Sequence, residues 1–125
     1  MNNQKKVLVV EDDVFLSDIY KSKLTLQKLN VIIANDGEEA IKMAQEEMPQ
    51  LIILDILLPK KNGIEVLEVL KKMEKTKNIP VIIASNLDQT ETVKKGMGSG
   101  ADDYFIKSDT SLEELTLMCH KYLQS

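Results

Sequence analysis

Four places in the chain hold side chains that phosphoryl chemistry could use: Glu11-Asp12-Asp13, Asp55, Ser85 and Lys107. Each follows an apolar run: Val7 to Val10, Leu51 to Leu54, Val81 to Ala84 and Tyr104 to Ile106. If those runs lie side by side, the polar residues after them converge at one edge. Carboxylates within about 4 Å of one another repel by roughly 1 to 4 kcal/mol per pair at dielectrics between bulk water and a protein surface, so a bare cluster is costly. A hard cation is therefore implied. Mg²⁺ fits, because it takes oxygen ligands, retains waters and is commonly held by one or two carboxylates plus a phosphoryl oxygen. An Asp carboxylate can attack phosphorus to form an aspartyl phosphate, while a cation and a lysine neutralise the oxygens of the transferring group. Asp55 is the central candidate for that nucleophile.

Convergence depends on the elements that carry these residues. Lys6 to Val10 is too short and too β-branched for a helix and reads as a buried strand. Residues 14 to 28 place Phe15, Leu16, Ile19, Tyr20, Lys23 and Leu24 at three- and four-residue spacing, which predicts an amphipathic helix. The alternation then repeats. Val31 to Ala34 reads as strand, Asn35-Asp36-Gly37-Glu38-Glu39 as a helix start, and Pro49 as a turn. Leu51 to Leu54 and Val81 to Ala84 are further strands, and Asn62-Gly63 opens the helix between them. A helix over roughly Asp88 to Met97 precedes the strand Asp103 to Ile106. Thr110 to Leu123 closes the chain as a helix with Ser111-x-x-Glu114 as its capping box. Five βα units predict an α/β fold: a doubly wound, five-stranded parallel sheet of order 2-1-3-4-5. Ligands in such sheets bind beyond the carboxyl ends of the strands, at the switch point between the first and third.

Composition narrows the function. The 125 residues suit one domain, 1–125, and 43% apolar with 29% charged residues describes a chain that buries a core. No apolar run approaches the roughly 20 residues of a membrane span, and the start of the chain lacks the apolar stretch of a signal peptide. One cysteine, Cys119, excludes an internal disulfide framework and points to a reducing, cytoplasmic setting. A net charge of −4 disfavours direct nucleic-acid binding, so proteins are the expected partners. Simpler readings compete at each position. The acidic triplet could merely cap the first helix. Ser85 and Lys107 taken alone are ordinary loop residues. Gly96-x-Gly98-x-Gly100 follows a helix and precedes a strand, the reverse of a dinucleotide loop, and reads as helix termination. His120 has no ligand partners in prospect and receives no role.

Taken together, Val7-Leu8-Val9-Val10-Glu11-Asp12-Asp13, Leu54-Asp55-Ile56-Leu57-Leu58-Pro59, Ala84-Ser85-Asn86 and Gly100-Ala101-Asp102-Asp103-Tyr104-Phe105-Ile106-Lys107 resemble the receiver domains of two-component response regulators. The resemblance covers the whole chain and implies the flavodoxin-like (βα)5 fold of the chemotaxis regulators. It implies that Asp55 takes phosphate from a histidine kinase or phosphotransfer protein, with Asp12 on Mg²⁺ directly, Glu11 through water and the Leu57 carbonyl as a further ligand. It also implies that Ser85 and Lys107 hold the phosphoryl oxygens and that Tyr104 is the aromatic switch. The chain is then a signalling switch that catalyses only its own phosphorylation and dephosphorylation. The reporting surface would be the fourth helix, fifth strand and fifth helix. With no DNA-binding or enzymatic output segment in these residues, a stand-alone regulator or phosphorelay shuttle is the simplest expectation, and a receiver excised from a longer protein is the competing one. A phosphohydrolase would want a second carboxylate two residues past Asp55, where Leu57 stands. A flavin carrier would want a hydroxyl-rich loop after the first strand. In one respect the chain departs from the family: Ser108 stands where a proline after a cis bond is usual, and a trans bond is expected.

Overall fold

The computed structural model describes residues 4–58, 62–86 and 88–124. Its elements are β1 (Lys6–Val10), α1 (Val14–Leu26), β2 (Asn30–Ala34), α2 (Gly37–Glu47), β3 (Leu51–Asp55), α3 (Gly63–Lys72), β4 (Val81–Ser85), α4 (Thr90–Gly98), β5 (Asp103–Ile106) and α5 (Leu112–Leu123), with a short 3₁₀ turn over Lys107–Asp109 before α5. The strands form one parallel sheet in the order β2-β1-β3-β4-β5, as the sequence predicts.

Both faces of the sheet are covered, which is why its strands read as near-continuous apolar runs rather than alternating ones. Leu8, Val10, Ile52, Leu54, Val81 and Ile83 point toward α2, α3 and α4. The intervening Val7, Val9, Leu51, Ile53, Ile82 and Phe105 point toward α1 and α5, meeting Tyr20, Leu24, Leu115 and Cys119. Helix starts follow their capping chemistry. Asp13, Asp36, Asn62 and Ser111 each accept a hydrogen bond from a backbone N–H of the first turn, and Asn62 with Glu65 and Ser111 with Glu114 complete capping boxes. The α4 helix starts two residues later than the sequence suggests and has no side-chain cap.

One sequence reading needs correction. Only Ser17, Tyr20 and Leu24 of α1 are buried, whereas Phe15 is 84% exposed and Ile19 is exposed as well. An α1 face centred on Tyr20 meets the sheet, so the stripe through Phe15 and Ile19 turns outward. The glycine stretch does end α4, at Gly98, and Gly96 lies one half-turn earlier. At Gly96 a Cβ would come within 2.3 Å of the Ile83 side chain, so α4 approaches the sheet closely there. Gly100, at φ +112°, does occupy a left-handed position just past the helix.

Candidate functional site

The sheet register gathers the chemistry-bearing residues. Val10 pairs with Leu54, so the next residues, Glu11 and Asp55, stand level with each other. Asp55 pairs with Ala84, and Ser85 pairs with Ile106, so Ser85 and Lys107 follow one step beyond. Glu11, Asp12 and Asp55 each offer a carboxylate oxygen, and these oxygens lie within 4.8 Å of one another. Lys107 reaches back into this group: its Nζ donates to Glu11 Oε1 at 2.8 Å and to Asp55 Oδ2 at 2.9 Å. The peptide bonds of the described residues are all trans, including the one between Lys107 and Ser108.

The acidic triplet divides its labour. Asp13 is the N-cap of α1 and accepts from Leu16 N at 3.2 Å. Glu11 is buried, with Oε2 accepting from Asp13 N. Asp12 is exposed and has no hydrogen bond or ion pair among the described residues. Asp55 is buried and its Oδ1 accepts from Leu57 N at 3.2 Å, which holds the start of the β3–α3 loop against the site. That loop is further fixed by Gly63, whose N donates to Ile56 O. A Cβ at Gly63 would fall 2.5 Å from Asp55 O, so α3 can begin this close to the carboxylate only with glycine.

The electrostatics are strained in one direction. Burial pushes the Glu11 carboxyl up to about 7, with the Lys107 hydrogen bond pulling it down and the charge of Asp55 adding to the rise. For Lys107 burial favours the neutral amine, but hydrogen bonds to Glu11 and Asp55 outweigh it and raise the ammonium above the ordinary lysine value. Three carboxylates against one ammonium leave two formal negative charges when all are ionised. A divalent cation would neutralise that excess. The donor set is all oxygen, which suits Mg²⁺. Beside it, Ser85 Oγ is fully buried and has no hydrogen-bond partner among the described residues. Buried hydroxyls nearly always have a partner, so this one is available to a group not yet present.

Of the remaining predicted residues, Leu57 keeps its main chain at the site while its side chain is 56% exposed. Tyr104 lies on β5, away from the carboxylates, and is 44% exposed. Leu87, Pro59, Lys60 and Lys61 lie outside the described residues. Sequence reasoning treated Tyr20 only as part of an apolar helix face. Its ring is buried against Phe105, edge to face, at a centroid distance of 6.4 Å. The signal available in the sequence was the placement of a phenol among otherwise apolar core positions.

A doubly wound sheet with an aspartate at the end of its central strand, flanked by acids and a lysine, defines a receiver-type architecture. The family model for the response regulator receiver domain matches residues 7–119. The chain belongs to that family. It is 39% identical over 103 residues to the alkaline phosphatase synthesis transcriptional regulatory protein PhoP of Bacillus subtilis, covering 82% of this chain and 42% of that protein. It is 36% identical over 121 residues to the probable C4-dicarboxylate response regulator DctR of the same organism, covering 95% of this chain and 52% of that one. The chain thus spans about half the length of the curated relatives it matches. Among solved structures, the receiver domain of Francisella response regulator 1452 superposes with a TM-score of 0.86 at 34% identity, covering 95% of this chain and 96% of that one. The Vibrio cholerae chemotaxis protein CheY4 superposes at 0.88 with 25% identity, covering 96% and 99%. The chain is therefore a response-regulator receiver domain of two-component signalling.

Proposed function

We propose that residues 1–125 act as one receiver unit, which accepts a phosphoryl group on Asp55 from a histidine kinase or histidine phosphotransfer protein and switches conformation in response. The observation that carries this reading is the pairing of Asp55 Oδ2 with Lys107 Nζ at 2.9 Å beside a buried Ser85 hydroxyl that has no partner among the described residues. A carboxylate oxygen of Asp55 attacks the phosphorus; the new P–O bond forms as the P–N bond to the donor imidazole breaks, and the imidazole leaves with a proton. Lys107 stays with the transferred oxygens as charge moves onto them, and Ser85 donates its hydroxyl hydrogen to one of them. Glu11, Asp12, Asp55 and the Leu57 carbonyl would hold Mg²⁺, with several waters retained. When bound, it supplies neutralisation of phosphoryl charge. Movement of Ser85 toward the new group shifts the loop after β4 and lets Tyr104 turn inward. The changed surface, formed by α4, β5 and α5, then meets a downstream protein. No helix among the described residues is long and apolar enough to cross a membrane, which suits a chain that works in the cytoplasm.

Intact mass after incubation with Mg²⁺ and acetyl phosphate tests the proposal. A gain of one phosphoryl mass is expected in the wild type and none in Asp55→Asn. Equal labelling of the variant would remove Asp55 from the role.

A further inference from the structure

The solvent side of α1 carries an apolar row that the fold itself does not use. Phe15, Ile19, Ser22 and Leu26 recur at intervals of four, three and four residues, which is the seam spacing of a coiled coil. All four are exposed, Phe15 at 84% and Leu26 at 77%. The residues that seat α1 on the sheet, Ser17, Tyr20 and Leu24, lie about half a helical turn away, on the opposite side. Single exposed apolar side chains are ordinary, but a row of them along a whole helix is not. Leu117 of α5, also exposed, borders the row across a groove that it lines together with Lys23.

The charges of α1 are divided along its length. Asp12 and Asp13 precede its first turn and Asp18 stands in its first half, whereas Lys21 and Lys23 stand in its second half and Lys28 just past its end. Lys23 is held by Glu113 of α5 at 2.9 Å, but Asp18, Lys21 and Lys28 make no ion pair among the described residues. A helix polarised in this way repels a parallel copy and attracts an antiparallel one, and opposed helix dipoles add to the preference. A two-fold axis generates that antiparallel neighbour from the helix itself. The seam matches its own reversal: Phe15 falls opposite Leu26 of the partner subunit, and Ile19 opposite Ser22 of the partner subunit. In that register Asp18 comes within one helical turn of Lys21 of the partner subunit, on the same flank of the seam.

We propose that the seam of Phe15, Ile19, Ser22 and Leu26 is the interface of a homodimer in which two copies of α1 pack antiparallel about a two-fold axis. Apolar burial holds the copies together, and the pairing of Asp18 with Lys21, formed twice by symmetry, sets the direction. A short seam with a serine in it is a contact at the small end of specific interfaces, so the dimer forms and separates with concentration. This association does not require Asp55 to take phosphate.

Sedimentation velocity of the wild type between about 1 μM and about 1 mM, the range in which weak specific pairs dissociate, reads the oligomeric state. A monomer–dimer equilibrium is expected, with a Kd at least about tenfold weaker in Phe15→Glu and in Ile19→Glu, and unchanged in Met97→Glu, which alters the α4–β5 groove instead. All three side chains are exposed, so circular dichroism should show wild-type folding in each variant. Asp18→Lys and Lys21→Asp should each weaken the homodimer, whereas an equimolar mixture of the two should form a heterodimer, since both contacts across the axis then regain opposite charges. A wild type that stays monomeric over the whole range overturns the proposal and leaves the stripe to a different protein. So does a dimer that Phe15→Glu and Ile19→Glu leave intact, or one that Met97→Glu breaks instead. A dimer that the two glutamates break, but whose charge variants do not recover on mixing, overturns the antiparallel pairing.

Discussion

Glu11 meets two opposed demands, because the burial that shields it from solvent disfavours the charge a cation needs. Its carboxyl is raised from 4.5 to about 7, so in the metal-free protein the native state holds a proton there that the unfolded state has released. Stability from this group therefore falls as pH rises from about 4.5 to about 7. Glu11→Gln should raise the urea midpoint of the metal-free protein at pH 8 and change it little near pH 4.5. A pH-independent difference would show that Glu11 is charged throughout. The same proton competes with a cation, so Mg²⁺ affinity of the wild type should strengthen between pH 6 and pH 8. A second residue-scale expectation concerns the lifetime of the phosphoryl group. Leu57, two residues after Asp55, presents an apolar side chain where a polar one could align the attacking water. A slowly decaying aspartyl phosphate is expected, and Leu57→Asn should shorten its half-life. The companion position of this reading, Leu87, lies outside the described residues. An unchanged decay rate in Leu57→Asn would refute shielding by Leu57.

At the scale of elements, the glycine at the start of α3 decides how near the helix can come to Asp55. A methyl group at Gly63 would meet backbone, with Asp55 O at 2.5 Å and Ile56 Cα at 2.7 Å, and backbone cannot swing aside as a side-chain tip can. Gly63→Ala should cost about 1–3 kcal/mol of stability, the range for overpacking, and slow phosphorylation as the Asp55 peptide shifts. Urea denaturation and acetyl phosphate labelling read both effects; a variant with wild-type values in each would show that the loop yields freely. Strands and caps of this protein were legible in the sequence because they rest on local chemistry: β-branched runs, Asp13, Asn62-Gly63 and Ser111-x-x-Glu114. The α1 face was not, since helical periodicity fits two stripes, one through Phe15 and Ile19 and one through Tyr20 and Leu24. Only contact with Phe105 and the sheet selects the second. The stripe of Phe15 and Ile19, just after the acidic triplet in sequence, is left facing solvent. Likewise, which acid of the triplet caps α1 and which join the site depends on where Lys107 arrives from the far end of the chain.

For the whole molecule, the central question is how a change at Asp55 reaches the surface. The sheet is packed on both faces, so it resists deformation, and change is channelled into the loops at its carboxyl edge. Ser85 joins the two regimes: it ends β4 with a fully buried hydroxyl that has no partner among the described residues, and it pairs in register with Ile106 of β5. Two residues earlier on β4, Ile83 pairs with Tyr104. Between α4 and β5 runs a groove of about 470 Å³ lined by Thr90, Val93, Lys94, Met97, Tyr104 and Ile106. That groove is where an inward-turning Tyr104 ring would go. A drawn-in Ser85 would pull the loop that leads to α4 and open the way, so Ser85 and Tyr104 should behave as one two-state unit. The prediction is that Ser85→Ala still takes phosphate on Asp55, because the nucleophile and Lys107 are untouched, but no longer buries Tyr104. Fluorotyrosine NMR of the acetyl phosphate-treated protein measures this through the solvent exposure of the Tyr104 ring. In the wild type the ring signal should lose solvent accessibility on phosphorylation, and in Ser85→Ala it should keep it. A Tyr104 that turns inward equally in both proteins would place the trigger elsewhere than in the Ser85 hydroxyl.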